Sequence, residues 1–175
     1  KSEVFAKNNK ANKIFRASVV KINITPENPQ RLRGYGARIS TGIHDSIYHR
    51  IVTLDDGHNR FFIVSSDLCS LSPGQYDKVA GVLLQKFGID RKDFWWSLTH
   101  THSAPEIGDP GIIRMFMPER FQLALDTGYC ALIEETLING ILLAQERLET
   151  ARIGVGWGFS QANINRRAID VDGKV

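Results

Sequence analysis

The sequence is poor in cysteine, long apolar runs and concentrated charge. It has two cysteines, Cys69 and Cys130, and no Cys-x-x-Cys pair, which argues against a structural zinc knot; one disulfide is allowed but not required. No apolar stretch approaches the ~20 residues that a membrane-spanning helix needs. Lys and Arg are scattered and the net charge is only +3. A solvated surface explains this distribution better than a nucleic-acid interface.

Glycine is present, but not in the pattern of a phosphate-binding loop. The segments Arg33–Gly36 (RGYG) and Gly42–Asp45 (GIHD) carry glycines around aromatic and polar residues, without a following GK[ST] sequence. Glycine permits positive φ and close approach of the backbone to a neighbour or a ligand. These segments therefore indicate either a flexible turn or the border of a binding site.

The apolar patterns predict strands that alternate with helices. Strands are predicted at 17–24, 47–54, 60–66, 93–98 and 151–159, and helices from Ser72 to about Phe87 and from about Glu119 to Arg147. The Asp-Gly turn at 56–57 joins the second and third strands as a hairpin. The run FFIVSS at 61–66 is continuously apolar before its serines, which predicts a strand covered on both faces. The alternation predicts a mixed α/β domain, a layered sandwich of sheets and helices.

The chain length of 175 residues is enough for one domain with a hydrophobic core. The polar residues 1–14 are expected to fray, and residues 15–175 to form the domain. The last predicted strand leads into a polar segment without a closing element. We therefore expect the chain to be the N-terminal piece of a larger unit.

Two histidines one residue apart are the strongest indication of chemistry. His100 and His102 lie in WWSLTHTHSAPE, residues 95–106, directly after a predicted strand. Neighbours i and i+2 of a strand point to the same side, so an extended Leu98–His102 segment would bring both rings together. Either both imidazoles bind a metal, or one binds it and the other acts on a bound water. The carboxyl end of a strand is where open sheets place their sites.

Three further polar residues have weaker signals. Asp67 closes the strand FFIVSSD, where it either caps the following turn or orients an imidazole as a carboxylate partner. His49 lies in the middle of a predicted strand and His58 in the hairpin turn, so neither suggests a site.

The order of short motifs resembles the N-terminal part of the neutral/alkaline (non-lysosomal) ceramidases. The motifs are GYG at 34–36, GIH at 42–44, Y-x-R at 48–50, S-x-D-L at 65–68, THTHS-x-P at 99–105 and A-N-x-N-R at 162–166. The resemblance runs from about residue 17 to residue 167, nearly the whole chain, and THTHS-x-P is the most specific of these motifs.

This resemblance implies a zinc amidase that cleaves the N-acyl bond of ceramide to give sphingosine and a fatty acid. Many members are secreted or associated with the outer face of a membrane. The resemblance implies that His100 is a zinc ligand, that His102 is catalytic beside the metal, and that Arg166 contacts the substrate and assists catalysis. Gly36 and His44 are implied to border the substrate pocket. The other zinc ligands, a second His, a Glu and a Tyr, are expected beyond residue 175.

Departures from the family pattern motivate an alternative. Ala104, Glu106 and Arg167 stand where the family commonly has glycines or serine. A zinc hydrolase of the same fold that acts on another N-acyl lipid or on a small amide or ester therefore remains open. A further alternative is a non-catalytic binding module in which the histidine pair merely packs. Peripheral membrane contact and a secreted, periplasmic or outer-membrane-surface location follow from the resemblance only.

Overall fold

The computed structural model describes residues 14–34, 38–108, 113–116, 118, 124–162, 169 and 171–173. Its strands are β1 (Arg16–Asn23), β2 (Arg31–Leu32), β3 (Arg38–Ile39), β4 (Tyr48–Asp55), β5 (Arg60–Ser66), β6 (Phe94–Leu98) and β7 (Glu149–Thr150). Its α-helices are α1 (Pro73–Phe87), α2 (Ile113–Phe116) and α3 (Thr127–Glu146), and a 3-10 turn covers Arg91–Asp93. The predicted 14/15 domain boundary stays a prediction, because residues 1–13 lie outside the described part of the chain.

Five strands form one mixed sheet in the order β6-β5-β4-β1-β7. β4 pairs antiparallel with β1 and β5, whereas β5 and β6 are parallel and are connected through α1. The remaining strands, β2 and β3, form a separate two-stranded ribbon. The predicted mixed α/β class is therefore confirmed.

The hydrophobic core lies between one face of this sheet and the helices α1 and α3. The strand register places Val20, Ile51, Val64 and Trp96 in a row across four strands, and all are buried. The helices contribute Val79 and Leu83 from α1 and Ile133, Leu137 and Ile141 from α3. Burial of each such side chain stabilises the folded state by roughly 1.5–3 kcal/mol. The core therefore holds the carboxyl ends of β5 and β6 firmly in place.

The opposite face of the sheet is open among the described residues, which corrects the prediction for FFIVSS. The row next to the buried one is Val19, Val52, Ile63 and Trp95, and Val19 and Trp95 are 72% and 62% exposed. The apolar run therefore predicts the strand, but it does not indicate whether a second layer covers the outer face of the sheet.

His49 is a buried structural histidine. Its Nε2 lies 3.1 Å from the carbonyl oxygen of Ile133, which only accepts, so Nε2 carries the proton and Nδ1 accepts from the Ser66 hydroxyl at 2.5 Å. Trp96 Nε1 donates to the same Ser66 oxygen at 2.8 Å. Burial lowers the pKa of His49 to about 4, although the Ile133 carbonyl and the Asp67 charge oppose the shift. The neutral ring thus ties α3 to the sheet.

Helix boundaries follow capping residues. Ser72 accepts a hydrogen bond from the Gln75 backbone at the start of α1, and Gly88 ends that helix at φ 67. The prediction that the long helix begins near Glu119 is wrong, because residues 124–126 are not helical and α3 begins after Asp126. The Asp126 side chain accepts from the backbone N–H of Tyr129, which makes it the N-cap.

The predicted strand at 151–159 is also wrong. β7 is limited to Glu149–Thr150, which pair with Ala17 and Arg16 at the very start of β1. Beyond the contact from Ala151 N–H to the Phe15 carbonyl, the described residues offer this segment no partner strand. Residues 151–162 therefore have no regular structure, and Trp157 is 99% exposed. Among the described helices, none combines the length and apolar character that a membrane crossing requires.

Candidate metal centre

The candidate site lies where the parallel strands β5 and β6 end side by side. β5 is followed by Asp67, Leu68 and Cys69, and β6 by Thr99 and His100. The backbone N–H of Thr99 donates to the Ser66 carbonyl at 3.0 Å, which continues the contact past the strands. Because carboxyl ends of parallel strands meet at one edge of a sheet, two segments about thirty residues apart in sequence converge here.

His100 occupies a strained backbone position that aims its ring at this edge. Its φ of 59° is positive, which is rare for a non-glycine residue. Its Nδ1 lies 2.8 Å from the carbonyl oxygen of Cys69. A carbonyl can only accept, so Nδ1 carries the proton of the neutral ring and Nε2 holds the lone pair. This arrangement, an imidazole fixed through one nitrogen with the other available, is typical of metal-binding histidines.

His102 lies beside His100, but not through strand alternation. The two ring centroids are 5.2 Å apart with an interplanar angle of 61°. The segment from Leu98 to His102 is not extended, because β6 ends at Leu98 and the chain turns at His100 with positive φ. The turn nevertheless keeps the two imidazoles adjacent.

Cys69 is the third member of a group with His100 and His102, and no sequence motif predicted that it would lie there. One ligand atom each from Cys69, His100 and His102 lies within 4.8 Å of the others. The Cys69 side chain is buried and its thiol is free. Burial raises the pKa of this thiol, Arg33 opposes the shift and Glu106 adds to it. The three residues form a group able to hold a metal ion, with one sulfur and two imidazole donors that suit zinc.

A buried ion-pair cluster fixes the segment after the histidines. Glu106 contacts Arg31 and Arg33, each at 2.5 Å, with side-chain exposures of 3%, 7% and 12% respectively. Main-chain hydrogen bonds join the same segments, from Arg33 N–H to the Ala104 carbonyl and from Glu106 N–H to the Arg31 carbonyl. The ribbon that begins with β2 therefore holds the loop after His102 in place.

The Asp67 carboxylate is held by residues of β4. It accepts from Arg50 at 2.7 Å and from the backbone N–H of Tyr48 at 3.0 Å. The partner of His100 Nδ1 is the Cys69 carbonyl instead. Asp67 thus anchors the start of the turn that carries Cys69.

The predicted substrate residues are only partly described. Gly36 and Arg166 lie outside the described residues. His44 is exposed and lines a cavity of about 850 Å³, to which Thr101 and Ser103 also contribute. His100 and His102 are not among the residues that line this cavity. The histidine loop therefore borders the cavity through Thr101 and Ser103.

Gly34 provides a direct test of how the loop is positioned. A Cβ atom on Gly34 would overlap the His102 Cβ and lie 2.5 Å from the His102 carbonyl oxygen. Gly34→Ala is therefore expected to displace His102, to lower the free energy of unfolding by about 1–3 kcal/mol and to weaken metal binding about 10–100-fold. Urea denaturation and calorimetric zinc titration measure both effects.

Gly42→Ala is the matched control, because no atom lies within 4 Å of a Cβ at that position. It is expected to leave both quantities unchanged. Equal behaviour of the two variants would contradict the contact between Gly34 and His102.

Comparison with known proteins supports the fold of this arrangement. No protein-family model and no curated protein sequence matches the chain. Among solved structures, the neutral ceramidase from Pseudomonas aeruginosa matches with a TM-score of 0.64 and 22% sequence identity over 78% of this chain. The fold matches part of a ceramidase domain. A structure described as ceramidase complexed with C2 matches with the same values, and this chain spans 22% of the length of each.

Proposed function

We propose that the protein is a zinc-dependent amide hydrolase that cleaves the N-acyl bond of ceramide or a related N-acyl lipid. The observation that carries the proposal is the convergence of His100, His102 and Cys69 at the carboxyl edge of β5 and β6. It occurs in a fold similar to that of a neutral ceramidase. Cysteine and histidine donors at one sheet edge support a metal centre more than a packed, non-catalytic loop.

His100 is the proposed ligand, since Nδ1 bonds to the Cys69 carbonyl and leaves the lone pair of Nε2 for an ion. A zinc ion held there supplies Lewis-acid polarisation of the amide carbonyl and acidifies the attacking water. His102, whose ring lies next to that of His100, accepts a proton from the water and delivers it to the leaving amine. The water oxygen joins the acyl carbon, the C–N bond breaks, and a fatty acid and a sphingoid amine result.

The remaining predicted residues enter as substrate contacts. Arg166 is proposed to hold a polar part of the substrate with its fixed charge and so to assist catalysis. Gly36 and His44 are proposed to border the substrate. The cavity beside His44 also contains apolar residues such as Ile39 and Ile43, which supports an acyl-chain subsite next to the histidine loop. An N-acyl lipid lies in a membrane, so we propose peripheral membrane contact. The resemblance to the ceramidases supports a secreted, periplasmic or outer-membrane-surface location.

Two of the residues that depart from the family pattern, Ala104 and Glu106, are buried. Their burial bears on the alternative that the enzyme acts on a substrate other than ceramide. Ala104 and Glu106 are 0% and 5% exposed, and neither lines the cavity. They therefore act in packing, and only Arg167, outside the described residues, still motivates a different substrate. We therefore propose the lipid substrate first and keep the other amide or ester substrates as the alternative.

Hydrolysis of a substrate panel by the intact, zinc-loaded protein tests the proposal. We expect fatty-acid release from N-acylsphingosine in detergent micelles and little release from short water-soluble amides. Removal of zinc with a chelator is expected to stop the reaction, and added zinc to restore it. Comparable turnover of short soluble amides and ceramide would contradict the lipid assignment, and no turnover of either would contradict the hydrolase.

A further inference from the structure

We propose that Ser66 is a positioning residue for His100, which it holds in place through hydrogen bonds to the two chain segments that meet at the carboxyl edge of β5 and β6. Ser66 is the last residue of β5 and is fully buried. It acts through its neighbours and not on a substrate. Because His100 is the proposed metal ligand, this role rests on the proposed function.

The main-chain carbonyl of Ser66 holds both segments that converge at the site. It accepts hydrogen bonds from the N–H of Leu68 at 2.9 Å and from the N–H of Thr99 at 3.0 Å. Leu68 precedes Cys69, whose carbonyl accepts the Nδ1 proton of His100 at 2.8 Å, and Thr99 precedes His100 itself. The position of one carbonyl oxygen therefore sets the separation of the two residues that form the Cys69–His100 hydrogen bond.

The side chain of Ser66 is fixed from both neighbouring strands. Its hydroxyl oxygen accepts from Nε1 of Trp96 in β6 at 2.8 Å and donates its hydrogen to Nδ1 of His49 in β4 at 2.5 Å. His49 is also the residue that pairs with Ser66 in the sheet. Because a buried hydroxyl without partners costs free energy, these two hydrogen bonds select one orientation of Ser66.

The tautomer of His49 fixes the direction of these hydrogen bonds. Its Nε2 donates to the Ile133 carbonyl at 3.1 Å, so Nδ1 of the neutral ring is an acceptor. Burial lowers the pKa of His49 to about 4, which keeps the ring neutral at neutral pH. Ser66 therefore donates to His49 and accepts from Trp96, and a side chain without a hydroxyl would leave both rings without this partner.

The strained backbone of His100 makes its placement sensitive to these contacts. A residue with an unfavourable φ, here 59°, persists only where the surrounding structure holds it. The Thr99 N–H before it is bound to the Ser66 carbonyl, and its own Nδ1 is bound to the Cys69 carbonyl. A shift of Ser66 would weaken both restraints and let His100 relax toward an ordinary φ.

Ser66→Ala tests this role, because it removes the hydroxyl and leaves the main-chain carbonyl. We expect the Thr99 amide hydrogen of the metal-free protein to exchange at least about tenfold faster, since the edge is then less restrained. We expect zinc to bind about 10–100-fold more weakly, as after the loss of other groups that orient a metal ligand. NMR-detected exchange into deuterium oxide and calorimetric zinc titration of the intact protein, both at neutral pH, measure the two effects.

Ser18→Ala is the matched control. Ser18 is also a buried serine of the sheet, and its hydroxyl donates to the Ala144 carbonyl of α3 at 2.6 Å, but it lies in β1. Urea denaturation compares the stability of the two variants. A general loss of stability would affect Thr99 exchange in both, whereas the positioning role predicts faster exchange and weaker zinc binding in Ser66→Ala alone.

His49→Gln is a second variant, which decides the question if Ser66→Ala does not fold. It keeps a donor for the Ile133 carbonyl but removes the ring nitrogen that accepts from Ser66. We expect both effects in the same direction and about 3–10-fold in size, which corresponds to one lost hydrogen bond.

Thr99 exchange that stays at the unmodified rate, or zinc affinity that changes equally in Ser66→Ala and Ser18→Ala, would overturn the positioning role. Both effects in a protein that hydrolyses no N-acyl substrate would uphold this role and reject the proposed hydrolase. Hydrolysis with both quantities unchanged in Ser66→Ala would do the reverse. If the unmodified protein binds no zinc, the proposed function fails, and Thr99 exchange still decides whether Ser66 holds this edge.

Discussion

Replacing His100 with glycine is expected to remove metal binding and to lower hydrolytic activity at least about 1,000-fold, a loss of about 4 kcal/mol of transition-state stabilisation. The reason is that the Nε2 lone pair disappears with the ring. Glycine adopts the φ of 59° found at this position without steric penalty. The relief of strain offsets the lost hydrogen bond to Cys69, so the free energy of unfolding should change by only about 1 kcal/mol.

Two matched variants make this result interpretable. His58→Gly removes an exposed histidine from the hairpin turn and should leave metal content and turnover unchanged. His102→Ala should retain metal on His100 but lose most turnover, since it removes the proposed proton acceptor. Metal content by atomic emission, turnover and urea denaturation are measured on each. Full metal content in His100→Gly would show that this residue is not a ligand.

Replacing Glu106 with glutamine is expected to lower the free energy of unfolding by about 3–5 kcal/mol. The change keeps the shape of the side chain but removes the negative charge that two buried guanidinium groups, those of Arg31 and Arg33, contact at 2.5 Å. Positive charge buried without this compensation is strongly unfavourable. Because Glu106 lies four residues after His102, metal affinity should fall with stability.

Asp77→Asn serves as the control for a lost ion pair. Asp77 contacts Arg91 at 3.0 Å, but both side chains are more than half exposed. Solvent screens such pairs, so a change within about 1 kcal/mol is expected. Urea denaturation compares the two variants. If Glu106→Gln were no more destabilising than Asp77→Asn, the buried cluster would not be what holds the loop.

The strand positions were predictable because their apolar residues alternate or cluster between clear turn signals. The predicted strand at 60–66 coincides with β5, and the serine and glycine around α1 mark its two ends. The segment at 151–159 has the same apolar character, yet it forms no strand. A strand needs a neighbour to satisfy its backbone hydrogen bonds. Because β7 runs antiparallel to β1, residues after Thr150 extend past the start of β1 and no longer lie beside it.

The histidine pair was identifiable from spacing and from its place after a strand, but its third companion was not. Cys69 has no motif, and its proximity to His100 arises only because β5 and β6 are parallel neighbours. A helix predicted between two strands is the signal that could have revealed it, because such a crossover usually gives parallel strands whose carboxyl ends meet. The positive φ of His100 had no signal in the sequence, although histidine adopts positive φ more often than most non-glycine residues do.

The central claim is that His100 holds a divalent ion at the carboxyl edge of β5 and β6. Diffraction data from zinc-soaked crystals of the intact protein, collected on both sides of the zinc absorption edge, locate bound zinc directly. The account predicts an anomalous peak at bonding distance from His100 Nε2, with the His102 ring beside it. A zinc ion bound elsewhere, with His100 Nε2 free of it, would contradict the account.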